Sequence, residues 1–170
     1  MVASNYSRLP ALDVISYFWQ ELKSTEILDP TDYYVDDFEA ELIPIVPVQD
    51  LPQMRNYLGD KTYLIYSVNN LPNKNGNWFI KQEVITFTVF SPSFNKLSQV
   101  CMLAEDALNR LTDTGKDITN LNNSEFTFHC FETEYDIYGE AESEGGRMYA
   151  EIVVVYEYTR DLAQTGRYLI

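Results

Sequence analysis

A chain of 170 residues with 45% hydrophobic and 14% aromatic residues has the length and apolar content for one domain with a sizeable core, which excludes disorder as a whole. Its net charge is −14, and with Lys74, Lys81 and Lys96 scattered no basic footprint of the kind that specific nucleic-acid binding normally needs is visible. No apolar run approaches the roughly 18 residues needed to span a bilayer, so no membrane partner is expected.

Met1 to Arg8 carries no apolar signal core, and synthesis in the cytoplasm is expected. Leu9 to Leu22 predicts a first helix, in which Leu12, Ile15, Phe18, Trp19 and Leu22 share a face. That face packs either on a sheet or on a neighbouring subunit. Glu26 to Glu41 is an acidic arm with no basic residue, and Tyr33, Tyr34, Val35 and Phe38 interrupt its acids. Leu42 to Val48 reads as a strand, but Pro44 and Pro47 demote it to a sheet edge or extended coil. Asp50 to Tyr57 predicts a short helical turn.

The central stretch begins at Thr62. Thr62 to Val68 is rich in β-branched and aromatic residues and predicts a strand. Asn69 to Gly76 is a turn segment by its Asn, Pro and Gly content. Trp78 to Phe90 resumes as a strand, with Val84, Thr86, Thr88 and Phe90 on one face and Ile85, Phe87 and Val89 on the other. Both faces carry apolar side chains, which predicts a central strand. Ser91 is the expected cap of a second helix, with Pro92 in its first turn. Its apolar stripe is Leu97, Val100, Cys101, Ala104, Leu108 and Leu111, and Gly115 is the expected terminator. Glu125 to Tyr138 alternates again, with Phe126, Phe128 and Cys130 opposed to Thr127, His129 and Phe131. Glu140 to Gly146 is an acidic turn, and Met148 to Thr159 returns as the last strand of an antiparallel hairpin. The expected class is α+β: an antiparallel or mixed sheet of about four or five strands packed against helices. A ββαββ core over residues 61–160 follows an N-terminal helix and acidic arm (1–60) and precedes a short tail (161–170), all in one domain.

Chemistry is sparse in this pattern. Cys101 and Cys130 are far apart and lack metal-ligand spacing, so both are expected as buried core thiols. The single histidine, His129, lies inside a strand without a partner nucleophile. No phosphate-cradling glycine motif occurs. Asp29, Asp32, Asp36 and Asp37 do not keep the alternation of a calcium loop, since Tyr34 and Asp37 break it. No catalytic residue, cofactor or metal is expected, and the chain is not expected to be an enzyme. The acids fall instead into two blocks, residues 1–50 and 125–151.

The order of elements resembles one family. Tyr63 to Tyr66, then Trp78 to Ser91, then the helix Lys96 to Leu111 and the closing strands to Arg160 resemble the tail terminator and tail-completion (neck) proteins of tailed bacteriophages. The resemblance spans about Thr62 to Arg160. It implies a ring, usually hexameric, that caps the tail tube and joins it to the head-neck connector, with a sheath as a further neighbour in contractile tails. It implies a place in the virion and passage of DNA through the ring without sequence-specific binding. On that reading Leu12, Ile15, Phe18, Trp19, Tyr33, Tyr34 and Phe38 are the apolar candidates for subunit contact. Asp36, Asp37, Glu39, Glu140, Glu142 and Glu144 are the acidic candidates for a channel lining or docking surface. The alternative is an acidic monomeric or dimeric protein-binding module that docks a basic partner. A third class, an enzyme with a diffuse site, would need a pocket of converging polar groups.

Overall fold

The computed structural model describes residues 9–71, 80–109, 121, 126–138 and 148–160, with the backbone alone at 129, 130 and 160. The protein is α+β, and among the described residues helices pack on a five-stranded mixed sheet.

Helix α1 (Pro10–Ser24) starts at a proline, whose fixed φ and missing N–H suit the first turn. Ala11, Val14, Ile15, Phe18, Trp19 and Leu22 form its buried stripe, and Phe18 sets its ring edge-on to Phe87 of the sheet at 5.4 Å. Thr25 ends the helix, its Oγ1 donating to the Glu21 carbonyl at 2.7 Å. The arm then forms a minimal hairpin, β1 (Tyr34–Val35) with β2 (Ala40–Glu41). Tyr33 ties the arm down: its hydroxyl donates to the Thr62 carbonyl, and its ring packs edge-on to Trp19.

β3 (Ile45–Pro47) begins just after Pro44 and ends on Pro47, and it is an edge strand among the described residues. Helix α2 (Leu51–Leu58) carries the chain back so that β4 (Tyr63–Leu71) pairs parallel to β3. β5 (Lys81–Ser91) is antiparallel to β4. Helix α3 (Phe94–Leu108) then crosses the sheet to β6 (Phe126–Tyr138), and β7 (Met148–Arg160) returns between β5 and β6, antiparallel to both. The order is β3-β4-β5-β7-β6, a split βαβ crossover with the last strand filling the gap. β5 is the central strand, as its two-sided apolar content predicts.

One face of the sheet carries the core. Ile85, Phe87 and Val89 of β5 and Ala150, Ile152, Val154 and Tyr156 of β7 are buried beneath α1 and α3, which contributes Leu97, Val100, Cys101, Ala104 and Leu108. Burial pushes the Cys101 thiol up to about 11, so it is an inert core thiol. The side chains of Cys130 and His129, and the positions Leu111 and Gly115, lie outside the described residues.

Two expectations need correction. Ser91 does not cap α3. It is the fully buried last residue of β5, where its hydroxyl sits 2.8 Å from Thr62 Oγ1 and accepts the Ser93 backbone N–H at 3.1 Å. Ser93 is the cap, its Oγ accepting the Lys96 N–H at 3.3 Å, and Pro92 lies before the helix. Ser93→Ala should therefore cost about 1 kcal/mol in urea melts. The alternation of β6 also does not run through: a bulge between His129 and Phe131 puts Phe131 on the same face as Phe126 and Phe128. There it stacks on Tyr156 at 5.6 Å, while Phe128 meets the same ring edge-on at 5.8 Å.

Candidate functional site

The bulge decides what the other face of the sheet shows. Beyond it, Phe131, Thr133, Tyr135 and Ile137 turn toward α3, and Glu132, Glu134 and Asp136 project from the opposite face, all exposed. On that face β7 adds the half-buried Glu151 and Glu157, with Val153 and Val155 between them, and β5 adds Val84, Thr86 and Thr88. The side of the sheet away from α3 is thus apolar or hydroxylated along its middle and acidic along β6.

A row of aromatic rings closes one end of this face. Tyr63, Phe90, Tyr149 and Tyr138 are cross-strand neighbours on β4, β5, β7 and β6. Their ring centroids are 5.2, 6.3 and 5.0 Å apart in turn. Such contacts pin strand register, because in-register rings pack and rings slipped by one residue fall on opposite faces. Tyr63 is buried, while Tyr149 and Tyr138 at the β6 side are 39% and 40% exposed. The Asp136 carboxylate beside Tyr138, then slight burial, Glu151 and Tyr149, push its phenol above the ordinary 10.0. The acids of β6 therefore adjoin the aromatic row at its Tyr138 end.

The apolar contact candidates divide sharply. Ile15, Phe18, Trp19 and Tyr33 are in the chain's own core, which corrects their assignment to a subunit contact: the sheet and α3 take up the stripe of α1. Leu12, Tyr34 and Phe38 remain at the surface. The arm also exposes Ile43 and Val48, so Tyr34, Phe38, Ile43 and Val48 are 48%, 52%, 50% and 47% exposed within one short segment. Phe38 leans on Tyr57 of α2 at 5.2 Å. Asp36, Asp37 and Glu39 lie at the tip of this hairpin and are exposed, with Glu39 at the positive φ of 51° that turns the chain. Glu140, Glu142 and Glu144 lie outside the described residues.

A hollow of about 330 Å³ opens between the arm and the start of α3, lined by Asp29, Asp32, Tyr33, Asp60, Lys61, Thr62, Ser93 and Lys96 among others. Its polar groups serve the fold. Lys96 Nζ donates to the Ile27 carbonyl at 2.6 Å, and the Lys61 ammonium lies 5.8 Å from the centre of the Tyr33 ring. Asp29 accepts the Thr31 backbone N–H at 3.0 Å and its hydroxyl at 2.8 Å, which hold its carboxyl below the ordinary 3.8. Among the described residues no group of three or more His, Cys, Asp or Glu side chains is placed to hold a metal ion. No described helix is long and apolar enough to cross a membrane.

The acids of β6 were legible only through the bulge. Apolar residues fall at even positions up to Phe128 and at odd positions from Phe131 onward, and that change of parity is the signal. No protein-family model matches the chain, and no curated protein matches it in sequence.

Proposed function

We propose that the chain is a ring-forming structural subunit of a phage tail, a tail terminator that caps the tube and joins it to the neck. The order of elements that carries the resemblance supports this reading. The observation that carries the assembly itself is the arm: Tyr34, Phe38, Ile43 and Val48 are each about half exposed within residues 34–48, a segment that includes a short edge strand ending in a proline. A head-to-tail contact through these side chains closes into a ring where the rotation permits. Like charges oppose that closure, since each copy brings −14. The same acids let DNA traverse the ring without adhering.

Light scattering across a salt series tests this. The Debye length shrinks from about 10 Å at 0.1 M to about 3 Å at 1 M salt, so higher salt should shift the chain from the 19.7 kDa monomer toward a mass near six copies. Ile43→Asp should keep the fold and hold the chain monomeric at every salt concentration. A monomer throughout, for the parent chain, would remove the ring and leave the acidic docking module. That second reading is favoured by the acids that β6 presents.

A further inference from the structure

We propose that the outer edge of β6, from Glu134 to Tyr138, is a docking site for an extended segment of a different protein, one in which basic and apolar residues alternate. This goes beyond the ring and does not depend on it.

Among the described residues β6 is the last strand in the sheet, and β7 occupies one of its sides. The Thr133 backbone N–H donates to Asn109 Oδ1 at 3.4 Å, a group outside the β6–β7 ladder, which directs it away from its cross-strand neighbour Val154. Strand alternation then puts the N–H and C=O of Tyr135 and Ile137 on the same outer side. The end of α3 reaches this edge at Thr133, whose hydroxyl donates to the Leu108 carbonyl. Among the described residues no strand lies outside β6 beyond that point. A row of unpaired backbone groups on an edge strand is a template for an added strand.

The side chains state which strand fits. Glu134 and Asp136 stand exposed on one face of the edge, with Glu132 before them. Tyr135 and Ile137 are half-buried on the other. A strand laid alongside sets its own residues opposite these: lysine or arginine beside the carboxylates, apolar residues beside Tyr135 and Ile137. The ring of Tyr138 at the end of the row offers a face to a further cation. A second copy of β6 fits badly. Antiparallel pairing centred anywhere from Glu134 to Asp136 brings Glu132, Glu134 or Asp136 of one copy against the same set in the other, and like charges directly opposite destabilise the pair.

The test uses a short fluorescein-labelled peptide alternating lysine and valine, read by anisotropy against the whole chain. Controls are the same composition in two blocks and an alternating glutamate–valine peptide. The alternating basic peptide should bind at least about tenfold more tightly than either control and should slow amide exchange at Tyr135 and Ile137. Glu134→Lys with Asp136→Lys should weaken it on the order of tenfold and favour the acidic peptide. Ile137→Pro, a change that edge strands tolerate, should weaken both while circular dichroism stays unchanged. Equal binding of the alternating and blocked peptides, or indifference to Ile137→Pro, would reduce the effect to bulk charge and overturn the proposal. So would amides at Tyr135 and Ile137 already protected in the free monomer, which would mean the chain covers its own edge. A dimer cross-linked through β6 would overturn it in favour of a second copy.

Discussion

Phe87→Ala should remove about 3–5 kcal/mol of stability, and Phe90→Ala, on the same strand, only about 1–2 kcal/mol. Phe87 is fully buried beneath α1, edge-on to Phe18 and near Tyr66. Its removal takes away apolar contact and leaves a cavity that the close-packed helices fill only in part. Phe90 points to the other face, half-buried in the aromatic row. Truncating it loses ring contacts to Tyr63 and Tyr149 but opens no interior void. Urea melts of the two variants measure the difference. Equal losses would mean that both faces are core, and would remove the open face on which the site is built.

Tyr156→Phe should destabilise the chain at neutral pH by about 1–3 kcal/mol, and Glu83→Gln should be neutral or stabilising there. The Tyr156 hydroxyl donates to Glu83 Oε1 at 2.7 Å within the core, and Glu83 is only 5% exposed. Without that donor the carboxylate is buried unpaired. Burial raises the Glu83 carboxyl above its ordinary 4.5, and the Tyr156 hydrogen bond partly offsets the rise. Burial, and then the Glu83 charge, push the Tyr156 phenol far up, so it stays a donor throughout. A carboxyl raised on folding favours the native state fully below 4.5 and loses that contribution as pH climbs through the higher native value. The parent chain should therefore lose stability over that window, and Glu83→Gln, which keeps an acceptor for Tyr156 but cannot ionise, should show a flatter profile. A parallel profile for the two proteins would show that Glu83 ionises as freely in the fold as in the unfolded chain.

Several parts of the fold were legible because local chemistry and tertiary packing agree. The two faces of β5, the stripe of α3 and the edge position of Ile45–Pro47 follow from period, stripe and proline. The parts that were not legible turn on single residues. Ser91 and Ser93 both have the chemistry of a cap, and only the hydroxyl of Thr62, a partner from another strand, assigns Ser91 to the sheet. The apolar face of α1 has the character of either a core or a contact, and the choice depends on Phe87 lying beneath Phe18. The acids of β6 were hidden by assuming unbroken alternation through Cys130. One extra residue in the strand moves Phe131 inward and every acid after it outward. Ile43 and Val48 lie within the stretch that reads as an edge strand or extended coil, and neither form by itself fixes which of its side chains are covered.

Electron microscopy of the purified chain at high concentration and high salt distinguishes a ring from isolated subunits. Closed rings of about six copies with an axial opening should appear, and Ile43→Asp should show none under the same conditions. A field of single particles no larger than one or two 19.7 kDa chains, unchanged when tail-tube protein is added, would contradict the ring.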